Sequence, residues 1–333
     1  MNSAIIGHQE HSPVISLLDR RRIPMQQGNG SASPFRHGFN GLGSERRYQE
    51  LDVSYDAAEE TLWYFQKPSL RPCFSPRMLA EIRDLQTTVE RALARPVKGT
   101  EPRYMVLASR TPRTFSLGGD LSLFAKAIRA QDEAMLLAYA EACIDVLYAN
   151  TTGLGSSLTT VALVQGDALG GGFEAALSSQ IIVAERSARF GLPEVVFNLF
   201  PGMGAYSFLS RRLGAIKAEE MILSGAIYSA AELHDLGIVD VLAEDGEGEK
   251  ALREHLRTIR RRSLTHRALL ETRAAVNPVT REELMRVTKI WVKTALRLSE
   301  LDLRRMDHLI TAQNRRRAKQ DAPVACTGGV PGR

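Results

Sequence analysis

The sequence predicts an α/β fold, and three observations carry that expectation. Short apolar runs of strand length recur along the middle of the chain, at Tyr104 to Ala108, Thr160 to Gln165, Ile181 to Ala184 and Ile238 to Leu242. Stretches with apolar residues at helical spacing lie between them, and glycine-bearing loops follow the strands. The last quarter, from Glu249 onward, reads as amphipathic helix. Strands alternating with helices are the pattern of a sheet covered by helices.

The elements follow in order. Residues 1–46 hold Gly, Ser, Pro, His and Arg without periodicity and predict a disordered extension. Tyr48 to Tyr55 and Thr61 to Gln66 alternate and carry aromatics, which predicts a hairpin turning near Asp56-Ala57-Ala58-Glu59. Ser75 is an N-cap and Pro76 the first residue of a helix running to about Ala94, with Met78, Leu79, Ile82, Leu85 and Val89 on one face. After the strand at Tyr104, Thr111 to Gly119 reads as a loop at its carboxyl end, where α/β sheets place ligands. Asp120 to Asn150 reads as helix with a break near Gln131-Asp132, and Gly172 to Ser178 as a short helix after the glycine run. Helices are expected at Ala205 to Leu213, Ile216 to Ser224 and Ser229 to Leu236, the last opened by a capping box. Glu249 to Arg262 and Arg281 to about Arg317 complete a helical region over residues 246–318, behind a core over 47–245, and 319–333 predict a disordered tail.

Of the 333 residues, 44% are hydrophobic and 24% charged, ordinary for a globular protein with a sizeable core. No apolar run approaches the roughly 20 residues that span a bilayer, and the first ten residues lack the pattern of a secretory signal. Three scattered cysteines, Cys73, Cys143 and Cys326, suggest neither a disulfide framework nor a metal site. A cytoplasmic enzyme needing no metal or cofactor is the expectation. The net charge of +5 gathers partly in Arg20-Arg21-Arg22, Arg260-Arg261-Arg262 and Arg315-Arg316-Arg317. Such clusters are solvated surface or a docking face for an acidic protein. Aromatics at 6% and the lack of a binding motif argue against nucleic acid.

The chemistry concentrates in Gly170-Gly171-Gly172-Phe173-Glu174 and Gly191-Leu192-Pro193-Glu194. Backbone N–H groups at a helix start can stabilise a developing negative charge. Two carboxylates can share proton traffic, one ionised and one neutral. Each element alone has a plainer reading: glycines for tight packing, Glu174 near a helix start, Glu194 in a loop, and Asp120 as an N-cap behind Gly118-Gly119. Leu169, Phe173, Met203, Tyr206, Phe208 and Trp291 suit an acyl-binding wall or ordinary core.

Together with Phe115-Ser116-Leu117-Gly118-Gly119-Asp120-Leu121, Phe190-Gly191 and Phe200-Pro201-Gly202-Met203-Gly204, these runs resemble the crotonase (enoyl-CoA hydratase/isomerase) superfamily, over roughly Tyr48 to Met306. The resemblance implies a crotonase-like ββα spiral core with a C-terminal helical trimerisation region. It implies Glu174 and Glu194 as catalytic, and an oxyanion hole from the backbone N–H groups of Leu117 and Gly171. Gly118, Gly119, Gly170, Gly172, Leu169, Met203, Tyr206 and Trp291 are then expected around the substrate. Ser116 to Phe124, Val164 to Leu169, Pro201 to Phe208 and Ile290-Trp291-Val292 with Arg304-Arg305-Met306-Asp307 look like the diffusible signal factor synthase branch. Hydratases usually carry Gly-Gly-Thr-Gln where this chain has Gly204-Ala205-Tyr206-Ser207, and a glycine where Asn198 stands. That branch implies dehydration of a 3-hydroxyacyl group on acyl carrier protein to the cis-2-enoyl thioester, then hydrolysis to a free fatty acid. Two alternatives stay open: an ordinary enoyl-CoA hydratase or isomerase, and a non-catalytic acyl-thioester-binding regulatory protein. A homo-oligomer and a contact with a regulatory signalling protein are compatible with each.

Overall fold

The computed structural model describes residues 48–96 and 101–320, with side chains to residue 313. The disordered extension predicted at 1–46 lies outside them, as does the tail predicted at 319–333 apart from residues 319 and 320, which are helical. β1 (Leu51–Asp56) and β2 (Thr61–Gln66) form the expected hairpin, with Leu51 opposite Gln66 and Asp56 opposite Thr61. Every residue of β2 is buried because the strand has neighbours on both edges and packing on both faces. α1 (Pro76–Ala94) starts as its sequence directs: the Ser75 hydroxyl accepts from the Met78 amide at 3.0 Å, and Pro76 occupies the first turn, where its missing N–H costs nothing.

A repeating two-strand unit then organises the chain. β3 (Tyr104–Ser109) is followed by β4 (Thr114–Ser116), β5 (Thr159–Val164) by β6 (Asp167–Leu169), and β7 (Ile181–Glu185) by β8 (Arg189–Gly191). The first member of each pair enters a six-stranded sheet with β10 (Val241–Ala243), in the order β1-β2-β3-β5-β7-β10. The second enters a four-stranded sheet with β9 (Ile227–Ser229), in the order β4-β6-β8-β9. This is an α/β architecture with the repeating strand pairs that the resemblance implies. The stretch expected as a continuous loop, Thr111 to Gly119, therefore contains β4. Strands of three residues are too short to show a period of two, so β4, β6, β8 and β9 leave no alternation to read.

Side chains on the six-stranded sheet alternate between two cores, as the period of two requires. Tyr104, Val106 and Ala108 face one side with Val161, Leu163, Ile181 and Val183, under Leu252 and Leu256 of α8 (Gly248–Arg261). Met105 and Leu107 face the other, with Ile82 and Leu85 of α1 and Ile144 and Leu147 of α3 (Glu133–Thr151). The break foreseen near Gln131 separates α3 from α2 (Leu121–Arg129): Asp120 caps α2 and Asp132 caps α3.

α4 (Gly171–Leu177) follows β6, and α5 (Ala205–Leu213), α6 (Ala215–Ser224) and α7 (Ala230–Asp235) follow β8. The capping box at Ser229 and Glu232 forms. The single long helix expected from Arg281 is two, α10 (Arg281–Ala295) and α11 (Glu300–Gln320). α10 buries Leu284, Met285, Thr288, Trp291, Val292 and Ala295 and packs on α3 of its own chain, while α11 packs on α2. A further helix, α9 (Ser263–Val276), was not evident in the sequence because it has no core-facing stripe: none of its residues is buried, and Leu264, Leu269 and Val276 are exposed. No helix among the described residues is long and apolar enough to cross a membrane.

Candidate active site

Three neighbouring strands of the four-stranded sheet deliver the candidate groups. β4, β6 and β8 lie parallel, and the segment after each turns toward one pocket. After β4 the chain passes Leu117, Gly118 and Gly119 before Asp120 caps α2 with bonds of 3.1 Å from the Ser122 and Leu123 amides. After β6, Gly170 and Gly171 open α4, which carries Glu174. After β8, a single-turn helical segment over Pro193–Phe197 carries Glu194.

The glycines allow the first two segments to touch. Gly118 has φ +95°, and a Cβ there would stand 2.8 Å from the Gly171 nitrogen and 2.9 Å from the Leu169 carbonyl oxygen. A Cβ on Gly172 would stand 2.3 Å from the Ser116 carbonyl oxygen. Only glycine fits both positions without moving backbone.

The oxyanion assignment needs one correction. The Leu117 amide donates to the Pro72 carbonyl at 2.8 Å, so it is committed to the chain segment before α1. Gly118 donates to the Ser116 hydroxyl at 3.3 Å. The amides of Gly119 and Gly171 donate to no described residue. They are close together: the Gly119 nitrogen lies 3.3 Å from where a Cβ on Gly171 would stand. Both residues line the pocket. The open pair is therefore Gly119 and Gly171, with Leu117 contributing its side chain to the wall.

Glu174 is 2% exposed, and its Oε1 accepts from the amides of Met203 at 2.8 Å and Ala205 at 3.0 Å. Burial pushes its carboxyl up to about 7, while those two amide bonds pull the other way. Glu194 is half-buried as a residue, but its Oε2 is sealed from solvent and has no hydrogen-bond partner among the described residues. Its Oε1 lies 2.6 Å from where a Cβ on Gly170 would stand, so it faces the glycine turn. Burial first, and the Glu174 charge second, push it up to about 8. Anchored Glu174 ionises first, and Glu194 keeps its proton longer.

The pocket holds about 920 Å3 including its open mouth. Its walls are mainly apolar, with Phe124, Leu147, Phe197 and Met203 among them. Trp291 closes one side, edge-on to Phe124 with ring centroids 5.2 Å apart and packed against Gly202, where a Cβ would stand 2.2 Å from its Cγ. Leu309 and Gln313 of α11 reach the same pocket, so the C-terminal helices cover their own chain's site. Gly119, Gly170, Gly171, Glu174, Glu194, Met203 and Trp291 thus meet as expected. Gly118 and Gly172 shape the wall from behind. Leu169 and Tyr206 are not brought in: Leu169 ends β6 outside the lining, and Tyr206 is 37% exposed with its hydroxyl donating to Glu219 at 3.0 Å. Helical spacing on α5 turns Tyr206 outward while Ala205 and Phe208 face the core. The sequence reading missed Tyr139, Cys143, Leu147 and Asn150, a face of α3 that its spacing marks as core.

Comparison with known proteins agrees with this architecture. A sequence profile described as enoyl-CoA hydratase/isomerase matches residues 80–296. A probable enoyl-CoA hydratase of Mycobacterium leprae (strain TN) is 33% identical over 42% of this chain, and the chain spans about half that relative's length, 52%. A mevalonyl-coenzyme A hydratase of Aspergillus fumigatus is 32% identical over 58% of this chain and 66% of its own. The fold matches a crystal structure of enoyl-CoA hydratase from Bacillus halodurans with a TM-score of 0.65, at 18% identity over 78% of this chain and 100% of that one. It also matches human mitochondrial delta3-delta2-enoyl-CoA isomerase with a TM-score of 0.65, at 19% identity over 80% and 99%. With the profile covering well over half of the chain, the protein belongs to the enoyl-CoA hydratase/isomerase family, within the crotonase superfamily.

Proposed function

We propose that the protein is an acyl-thioester hydro-lyase that adds or removes water across the Cα–Cβ bond. The carboxylate pair carries this reading: Glu174 and Glu194 face one apolar pocket beside two amides with no acceptor of their own. The thioester oxygen accepts from the Gly119 and Gly171 amides, which stabilise the enolate formed at Cα. In hydration, ionised Glu174 takes a proton from water as its oxygen attacks Cβ. Neutral Glu194 then gives its proton to Cα. Dehydration runs the same steps backwards, with Glu194 as base and Glu174 as acid.

Enoyl-CoA is the substrate that the relatives' names support best. A finer reading is favoured by one departure: Gly204-Ala205-Tyr206-Ser207 replaces the hydratases' usual run at the turn whose Ala205 amide holds Glu174. In it, a 3-hydroxyacyl group on acyl carrier protein is dehydrated to the cis-2-enoyl thioester. Water activated by a carboxylate then attacks the thioester carbonyl, the thiol leaves with a proton, and a free cis-2-unsaturated fatty acid is released as a diffusible signal. The uncovered apolar residues of α9 support a homo-oligomer in either case, and a cytoplasmic location suits both carriers.

Purified protein given 2-enoyl-CoA and, separately, 3-hydroxyacyl carrier protein decides between these readings when products are resolved by mass spectrometry. Reversible water addition to the CoA ester with no free acid supports the hydratase. Free cis-2-enoic acid from the carrier protein supports signal synthesis. Binding without turnover of either overturns both and leaves a non-catalytic acyl-binding protein.

The two carboxyls also set the expected pH response. Below about 7 both are neutral and no base remains; above about 8 both are ionised and no acid remains. A profile of kcat/KM for hydration against pH is expected to be a narrow bell with limbs near those values. Both folded-state values lie above the ordinary 4.5, so the pair favours folding most below 4.5 and loses that contribution as pH rises through about 7 and 8. A flat profile across neutral pH would remove the pair from the mechanism.

A further inference from the structure

One face of α3 brings polar groups into a mainly apolar pocket. Tyr139, Cys143, Val146, Leu147 and Asn150 of α3 line it at successive turns of one helix face. Cys143 and Glu174 line the same pocket, and Asn150 is bonded to Ser178, about one turn beyond Glu174 on the facing segment. The seven residues from Cys143 to Asn150 advance about 10 Å along the helix. Along this face the pocket has apolar walls from Leu79, Leu107, Val146 and Leu147.

Asn150 is 4% exposed and held rigidly. Its Nδ2 donates to the Ser178 hydroxyl at 2.9 Å and the Ser179 hydroxyl at 3.1 Å, so both amide protons are used. Ser178 in turn donates to the Ala175 carbonyl at 2.7 Å, and the Asn150 carbonyl accepts from the Thr160 hydroxyl at 2.9 Å. The side chain cannot swing away without breaking this network. Among the described residues no donor reaches its Oδ1, and that oxygen is not sealed off as the Glu194 Oε2 is. A methyl group pressed on it would displace any water there and leave a buried acceptor unmade.

We propose that Asn150 is the floor that sets the length of acyl chain this enzyme accepts. Chains whose methyl end stops short of Asn150 are bound; chains that must cover its amide are rejected. The inference rests on the acyl-thioester reading above and names its substrate class: straight or branched acyl groups of medium length with an apolar end.

The test compares 2-enoyl thioesters from butenoyl to hexadecenoyl, on CoA and on acyl carrier protein. Each is assayed for kcat/KM and, by calorimetry, for binding. Asn150→Ala removes the amide and is expected to move the optimum toward longer chains by about two carbons, raising the ratio of long-chain to short-chain kcat/KM about tenfold. Leu147→Phe narrows the space above the floor and is expected to move the optimum the other way. If Asn150→Ala does not fold by circular dichroism, Asn150→Leu, apolar and of similar size, takes its place with the same expected shift toward longer chains. An unchanged length profile in the folded variants overturns the proposal while leaving the hydro-lyase reading intact. A shifted binding profile without turnover on either carrier keeps the floor and sinks the hydro-lyase reading.

Discussion

Glu194→Gln is expected to lower kcat for hydration by about 100- to 10,000-fold, the range for loss of a positioned proton-transfer group. Glutamine keeps the size of the side chain and its place against the Gly170 turn, but it cannot cycle a proton to Cα. Glu174→Gln is expected to lose as much. Its amide oxygen can still accept from Met203 and Ala205, so the turn before α5 stays in place and the loss is chemical. The double variant should be little worse than either single one, because the two groups act in one step and their effects do not add. Both variants should bind thioester with nearly unchanged Kd, measured by calorimetry. They should also melt at higher temperature than the parent above pH 8, since a buried ionised carboxylate has been removed. A kcat within tenfold of the parent in either variant would take that glutamate out of the reaction.

The second large effect concerns an atom that touches no substrate. Gly118→Ala is expected to lower kcat about 100- to 1,000-fold, the scale of losing one oxyanion donor, roughly 3–4 kcal/mol. The added methyl would sit 2.8 Å from the Gly171 nitrogen and 2.9 Å from the Leu169 oxygen, both backbone atoms, at a φ of +95°. The two loops must part, and the paired amides part with them. Thermal stability should fall too, by about 2–4 °C for each kcal/mol of strain in a chain of this size. The diagnostic readout is a loss in kcat with KM nearly constant, because an enolate is held by those amides more strongly than a ground-state thioester. Amide-to-ester exchange then separates the candidate donors. At Gly119 it should cost kcat, and at Leu117, whose N–H is committed to Pro72, it should cost stability.

Much of this was legible in the sequence, and the parts that were not share a physical reason. Ser75-Pro76, the Asp56 turn and the Ser229 capping box act within a few residues, so local chemistry specifies them. Long apolar strands such as β3 and β5 show their burial in composition alone. Glu174 and Glu194 could be singled out because glycines and a proline surround them. Which amide faces the pocket could not be read, because Leu117 is diverted by Pro72, a residue 45 positions earlier that only the folded chain brings near. Tyr206 was misplaced for a related reason: an aromatic beside a motif looks like a ligand contact until the helix phase is known. α9 was invisible because none of its residues is buried among the described residues, so no core-facing stripe marks it.

The arrangement of β4, β6 and β8 also bears on how such a site can be altered. Each strand presents one part: the Gly119 amide after β4, the Gly171 amide and Glu174 after β6, and Glu194 after β8. Hydrogen-bonded neighbours in a sheet stand about 4.8 Å apart whatever their side chains. The spacing of the reacting groups is therefore a property of backbone pairing, whereas much of the cavity wall comes from side chains on elements outside that sheet, among them Leu79 of α1, Phe124 of α2, Leu147 of α3, Trp291 of α10 and Leu309 of α11. Proton transfer and acyl fit therefore rest largely on different elements of the chain. Libraries confined to Val146, Leu147, Asn150 and Leu309 should explore new acyl groups without disturbing the proton-transfer geometry.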